Sequence, residues 1–203
     1  MSEVKTIRRR RGRGGRERII AAATTLFESQ GIAATGMEQV AAAAPVSKRT
    51  LYAHFSSKDE LVVDYLRYLL ESGRTMEGLL DRADLPVRDR LLALFTIPES
   101  DGPIRGCPFV DAAAEYPDPQ SPVHQYAAAQ KQRFVDRLVE LVRTLGAAHP
   151  EVLGEQLAVL ADGTASRSMV LNDPTCGQHA KAAAAALLDA AVPTPTRQVR
   201  QTT

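Results

Sequence analysis

The feature that most constrains this 203-residue chain is a series of closely spaced helix starts and stops between Thr35 and Leu61. Thr35 and Glu38 have the spacing of a capping box, in which two side chains satisfy free amides at a helix start. Pro45 ends the helical pattern, because proline lacks the N–H that a helix interior requires. Apolar side chains recur at helical spacing in between, at Met37, Val40, Ala41 and Ala44. We therefore predict a short helix with one buried face.

A second short helix is predicted directly after Pro45. Ser47 is placed to cap it, and Val46 can pack on Leu51 as a hydrophobic staple that fixes the entry angle. Leu51 and Phe55, four residues apart, face inward. The outward face then carries Arg49, Thr50 and Ala53, flanked by Lys48, Tyr52 and His54. Two short helices joined by a tight turn are typical of a helix-turn-helix DNA-binding unit.

A third helix is predicted to start at Ser57, which forms a second capping box with Glu60. Lys58 lies in its first turn, where the helix dipole favours acidic side chains. A lysine at this place is well positioned to bind a phosphate.

Residues 16–62 resemble the DNA-binding domain of the tetracycline-repressor (TetR) family. The resemblance lies in the segments RERIIAAATTLFESQGIAATGMEQVA and VSKRTLYAHFSSKDEL. The family usually has glycine in the turn where this chain has Pro45, so the turn is expected to use a φ that proline allows. The spacing of the resemblance is kept at Phe27, Gly31, Thr35, Tyr52, Phe55 and Lys58.

The resemblance implies two sets of DNA contacts. Base edges would be approached by Lys48, Arg49, Thr50 and Ala53, and phosphates by Thr35, Ser47, Tyr52, His54 and Lys58. The chemistry agrees, because arginine can bind guanine through two hydrogen bonds, threonine can bond to several bases, and an alanine methyl can meet the thymine methyl. The alternative for each residue is an ordinary solvated helix face.

The N-terminal residues are strongly basic. Residues 1–20 carry eight Lys or Arg and two Glu. We expect residues 1–15 to be a disordered arm that enters the minor groove or neutralises phosphates, through Arg8, Arg9, Arg10, Arg11 and Arg13. Such a run could instead only solvate the chain, or serve as a nuclear signal in a eukaryote.

The rest of the chain indicates an all-α fold, with a larger helical domain over residues 63–192 and a disordered tail over 193–203. Residues 1–60 have a net charge of +5 and the remainder −4, which separates a basic head from an acidic body. Helices are predicted over residues 61–71, 87–95, 122–145, 151–171 and 178–191. No apolar run could span a membrane and no signal peptide is present, so a cytoplasmic protein is expected.

The resemblance implies that the larger domain binds a small-molecule effector and forms a homodimer through its last two helices. Candidates to line the effector pocket are Cys107, Phe109, Tyr116, His124 and Phe134. Leucines and small residues on the last two helices allow close packing, either with a second copy or within one chain. They are Leu153, Leu157, Leu160, Ala161, Thr164, Ser168, Ala180, Ala184, Leu187, Leu188 and Ala191.

Three functions are compatible with these patterns. We favour a transcriptional regulator, a repressor that an effector releases from an inverted-repeat operator. A small helical enzyme using Cys107 with His124 or His149 is the second, although no acid completes a triad and no phosphate loop is present. A non-specific architectural DNA binder that depends on the arginine arm is the third. No cofactor or metal site is predicted, because Cys107 and Cys176 lack close metal spacing.

Overall fold

The computed structural model describes residues 3–98 and 102–192, with side chains from residue 14 onward. These residues form helices and connecting loops without a strand, which confirms the all-α prediction. The helices are α1 Glu3–Gln30, α2 Met37–Ala43, α3 Lys48–His54, α4 Lys58–Glu71, α5 Glu77–Leu80, α6 Val87–Ala93, α7 Pro108–Glu115, α8 Pro122–Thr144, α9 Pro150–Leu171 and α10 Cys176–Ala191.

The chain divides into two compact units. The first is the chain up to Arg74 together with Pro108–Ala129, and the second is Thr75–Cys107 together with the chain from Gln130 onward. The expected boundary after residue 62 falls within α4 and therefore within the first unit. The reason is packing, because Val62 and Tyr65 of α4 are buried in that unit.

The first unit is built around α1, which contacts α2, α3 and α4. Its buried side chains Ile19, Ala23 and Phe27 recur at helical spacing, so one face of α1 is covered. The ring of Phe27 meets that of Tyr65 edge-on, with 5.1 Å between centroids. This core fixes the two short helices α2 and α3 against the long ones.

The expected disorder of residues 1–15 differs from the structure, in which α1 begins at Glu3. Arginine is a good helix former, and extending a helix that packing has already nucleated costs little free energy. The predicted tail over residues 193–203 lies outside the described residues. So do the side chains of the five arm arginines.

The second unit encloses an apolar core between α6, α8, α9 and α10. Its fully buried members include Leu91, Leu138 and Leu157. A Cβ on Gly177 would lie 3.3 Å from the carbonyl carbon of Phe95 and closer still to its oxygen, so this glycine lets α10 approach the chain after α6. None of the helices described is long and apolar enough to cross a membrane.

Candidate nucleic-acid interface

The helix α3 is held by its own cap and by two apolar side chains. The hydroxyl oxygen of Ser47 accepts a hydrogen bond from the amide of Thr50 at 3.1 Å, which confirms the predicted cap. Leu51 and Phe55 are both fully buried. The opposite face of α3 is consequently turned to solvent.

That outward face carries the predicted DNA-binding side chains. Arg49 and Ala53 are exposed, and the Tyr52 side chain is 44% exposed although it is large and aromatic. Thr50 is half-buried, with its hydroxyl 2.8 Å from that of Ser47. The face therefore presents a guanidinium, a methyl group and a phenol at the end of a rigid turn.

Lys48 does not stand alone on this face. Its Nζ donates to Oε1 of Glu38 on α2 at 2.7 Å, and both side chains remain largely exposed. The hydrogen bond and the charge of Lys48 lower the pKa of Glu38, and Glu38 raises the pKa of Lys48 in the same way. Both groups are therefore charged at neutral pH.

The first predicted capping box is displaced by one residue. The cap of α2 is Gly36, whose amide donates to the side-chain oxygen of Gln39 at 2.7 Å, so the prediction of Thr35 and Glu38 as the box is wrong. Thr35 is instead 1% exposed, and its hydroxyl donates to the carbonyl of Gly31 at 2.8 Å. This burial contradicts an expected phosphate contact through the Thr35 side chain.

The other predicted phosphate contacts have different surroundings. Ser47 and Tyr52 are exposed, whereas His54 is half-buried and its Nε2 lies 3.0 Å from where a Cβ on Gly15 would be. The ammonium of Lys58 donates to the carbonyl of Ala33 at 3.2 Å. The lysine therefore holds the loop before α2, with donors left for a further partner.

The turn between α2 and α3 has the hydrogen bond of a Schellman motif. The amide of Val46 donates to the carbonyl of Ala41 at 3.1 Å, and Pro45 lies between them with a φ of 25°. Proline normally holds φ near about −65°, so the expected proline-compatible φ is wrong. The turn has the left-handed conformation that glycine adopts easily.

The start of α4 confirms Ser57 as a cap and corrects its partner. The hydroxyl oxygen of Ser57 accepts from the amide of Glu60 at 3.1 Å. The Glu60 carboxylate reaches Ser56 rather than Ser57, accepting from its amide at 2.7 Å and its hydroxyl at 2.8 Å. These bonds lower the pKa of Glu60.

The sequence patterns did not reveal that the end of α7 is hydrogen-bonded to the loop before α2. Glu115, the last residue of α7, accepts from the amide of Ile32 at 3.0 Å and from that of Ala33. The next residue, Tyr116, lies near Asp59 in the first turn of α4, and burial together with that acid raises the pKa of Tyr116 to about 12. Glu115 therefore binds the loop before α2, and Tyr116 lies beside the first turn of α4.

Arg16 is the first basic residue of α1 whose side chain the structure describes. It pairs with Asp64 of α4, and its guanidinium lies over the Phe55 ring, 5.4 Å from the centroid. Asp64 also pairs with Arg67. The basic end of α1 is therefore joined to α4 beside the end of α3.

The candidate effector-pocket residues fall in both units. Cys107 and Phe134 belong to the second unit, whereas Phe109, Tyr116 and His124 belong to the first. Cys107, Phe109 and Phe134 are buried, and His124 is hydrogen-bonded through Nδ1 to the carbonyl of Tyr116 at 2.8 Å. Within the described residues, no cluster of His, Cys, Asp or Glu could hold a metal ion.

A cleft of about 1040 Å³ lies on the outer face of α9 and α10. Small and apolar residues line much of it, among them Val159, Gly163, Ala183 and Ala186. Val159 is 70% exposed. Most leucines and alanines that the sequence suggested for assembly fill the core of the second unit, so the intramolecular alternative is correct for Leu153, Leu157, Ala161, Ala180, Ala184 and Leu188.

Comparison with known proteins points to one family. Residues 19–65 match the profile described as bacterial regulatory proteins, tetR family. The chain is 31% identical over 159 residues to the HTH-type transcriptional regulator YjdC of Escherichia coli (strain K12), covering 76% of this chain and 83% of that protein. It is 34% identical over 82 residues, 39% of each chain, to the HTH-type transcriptional repressor KstR2 of Mycolicibacterium smegmatis.

Solved structures extend the similarity to the second unit. The crystal structure of SCO4454, a TetR-family transcriptional regulator from Streptomyces coelicolor, superposes with a TM-score of 0.77 at 30% identity. That match covers 88% of this chain and 96% of the other.

Proposed function

The chain belongs to the TetR family of bacterial DNA-binding transcriptional regulators, and from that premise we propose that it is a repressor that binds an inverted-repeat operator as a homodimer. The observation that carries this proposal is the capped, exposed face of α3. Leu51 and Phe55 anchor that helix, so its outward side chains are held ready for the major groove. Proteins of this family are regulators rather than enzymes, so the Cys107 enzyme alternative falls away.

The two sets of DNA contacts are part of the proposal. Lys48, Arg49, Thr50 and Ala53 read base edges, and Ser47, Tyr52, His54 and Lys58 contact phosphates. Their exposure on or beside α3 supports these roles for most of the residues, whereas Thr35 is too deeply buried to take part through its side chain. The arm residues Arg8, Arg9, Arg10, Arg11 and Arg13 would add a sequence-independent, salt-dependent contribution to affinity.

A second copy of the chain is the proposed occupant of the cleft on α9 and α10. Small residues at Gly163, Ala183 and Ala186 permit close approach of another helix pair, and the exposed Val159 offers apolar surface to bury. A two-fold contact joins the same surface on both copies. Two DNA-reading heads related in this way require an operator with inverted half-sites.

Release by a small-molecule effector completes the proposal. The contacts of Glu115 and Tyr116 support a route, because they join α7 to the loop before α2 and to the first turn of α4. An effector that favours another position of α7 or α4 would alter the spacing of the two heads.

Footprinting of the full chain on DNA upstream of its own gene tests this function. We expect a protected inverted repeat that survives an excess of unrelated duplex, and loss of protection with one of a set of candidate small molecules. Protection that disappears with unrelated competitor would indicate the architectural binder instead, and would contradict the proposal.

A further inference from the structure

Glu38 is an exposed acidic side chain in the first turn of α2, beside α3, and it does not take part in the cap of that helix. Gln39 supplies the acceptor that closes the start of the helix, so the Glu38 carboxylate is not needed there. Its side chain is 79% exposed. A substitution at this position therefore leaves no buried group without a partner.

The contact that Glu38 does make is with a proposed base-reading residue. Its Oε1 accepts from Lys48 Nζ at 2.7 Å, across the turn that joins α2 to α3. The pair consequently presents one hydrogen-bond acceptor and one donor side by side at the rim of the α3 face. The ammonium has two further N–H donors, and the carboxylate has a second oxygen.

A carboxylate at a DNA interface weakens binding to every sequence, because it repels the phosphates. Such a group is useful where it rejects wrong sequences, since specificity depends on the difference between two affinities. In the major groove a G·C pair presents the N7 and O6 acceptors of guanine beside the N4 amino donor of cytosine. Lysine can donate to both guanine acceptors, and glutamate can accept from the cytosine amine.

We propose that Glu38 is a specificity-determining residue, which together with Lys48 reads one G·C base pair in each half-site. The Glu38 carboxylate would accept from the cytosine amine, and the Lys48 ammonium would donate to guanine O6. The two side-chain groups lie a hydrogen-bond length apart, as do the cytosine amine and the guanine O6. An A·T pair fits less well, because the thymine methyl stands beside the single O4 acceptor. This assignment rests on the proposed base-reading role of α3.

Selection of bound duplexes from a random pool, by the full native chain and by Glu38→Gln, tests the assignment. The glutamine keeps the size of the side chain but removes its charge and the ion pair. We expect the variant to lose about tenfold of the preference for G·C at one symmetric position per half-site, the ratio that corresponds to about 1.4 kcal/mol. Its affinity for unrelated DNA should rise.

The matched control is Glu151→Gln, which removes the same charge from an exposed glutamate that is ion-paired at 2.8 Å with Arg143. We expect the control to select the native motif. Lys48→Ala should lose preference at the same base pair as Glu38→Gln, and the double variant should lose less than the sum of the two.

Two outcomes would overturn the assignment. One is a Glu38→Gln motif that matches the native motif at every position, including the case in which affinity rises equally for all sequences. The other is a loss of preference at a base pair that is not G·C. If the native chain itself selects no motif, the proposed operator recognition fails instead, so the two failures are distinguishable.

Discussion

Two cationic residues stand side by side at the start of α3, and their surroundings differ. Lys48 is paired with Glu38, whereas Arg49 is exposed and has no hydrogen bond or ion pair to any described residue. An unpaired guanidinium can donate two parallel hydrogen bonds to guanine without first leaving another partner. We therefore expect Arg49 to contribute strongly to base discrimination.

Arg49→Ala should relax sequence preference at one position per half-site, by about 1–3 kcal/mol between the right and the wrong base. The measurement is competition binding with operators changed at single positions. Arg133→Ala removes an exposed arginine from the second unit and should leave every preference unchanged. Tyr52→Phe, which removes only a hydroxyl, should weaken all sequences alike. An Arg49→Ala profile that matches the native one would contradict the base contact.

At this scale the sequence predicts what is local. Ser47 and Ser57 were identified as caps because a serine before a helix bonds to an amide three residues later. The pattern predicts a cap at Thr35 because threonine has a side-chain hydroxyl, whereas the actual cap, Gly36, has no side chain. The Gly36 and Gln39 spacing, one residue later, was the signal that could have revealed the true start.

At the scale of elements, the turn after α2 places a proline at a positive φ of 25°. The end of α4 shows the relaxed form of the same motif, in which Gly73 has a φ of 66° and its amide donates to Leu70 at 3.1 Å. Pro45 has no backbone N–H to donate, and its ring disfavours a positive φ. A left-handed proline is therefore a cost that the packing of α2 and α3 must offset.

Pro45→Gly should raise the free energy of unfolding by about 1 kcal/mol. It relieves about 1–3 kcal/mol of backbone strain, and the greater freedom of glycine in the unfolded chain offsets part of this. Urea denaturation measures the change. Pro86→Gly is the matched control, because Pro86 has a φ of −54° that suits proline, and it should lower stability. A destabilised Pro45→Gly variant would show that the turn uses a proline-compatible backbone.

The link from α7 to the loop before α2 is the element-scale feature that sequence reasoning missed. Glu115 lies 83 residues after Ile32, and no local sequence pattern predicts a contact at that separation. The sequence patterns predict neither α7, which has eight residues, nor α5, which has four. The long helices α8, α9 and α10 were predicted because their apolar periodicity continues over many turns.

Glu115→Gln should lower the free energy of unfolding by about 1 kcal/mol, because hydrogen bonds to a charged acceptor are stronger than those to a neutral amide. Hydrogen exchange at the amides of Ile32 and Ala33 should accelerate in the same variant. Glu140→Gln removes a surface ion pair with Arg137 and should change neither quantity measurably. Unchanged exchange at both amides would contradict the role of Glu115 in holding this loop.

At the scale of the whole molecule, charge distinguishes the part of the chain that would bind DNA from the part that would join two copies. The basic first 60 residues and the acidic remainder suit a head that meets DNA and a body that does not. The charge pattern suggests this division, and the first compact unit extends to Arg74 and also includes Pro108–Ala129. Periodicity alone does not separate a core from an interface between copies, because both use the same leucine and alanine spacing.

Gly163→Arg should convert a dimer to a monomer. A Cβ at Gly163 would meet no atom within 4 Å in the single chain, so the variant should fold, whereas an arginine in the cleft would block a second copy. Sedimentation at micromolar concentration should give twice the 22.0 kDa chain mass for the native chain and the single mass for the variant. Gln132→Arg, an exposed change on α8, should remain a dimer. A native monomer, or a dimeric Gly163→Arg, would contradict this interface.

We propose that two copies of α3 read a symmetric DNA sequence. Selection of duplexes from a random pool by the full native chain tests it most directly. The predicted result is an inverted repeat with half-sites about one helical turn, roughly 34 Å, or more apart. A pool that yields no common motif, or a single unrepeated site, would contradict the account.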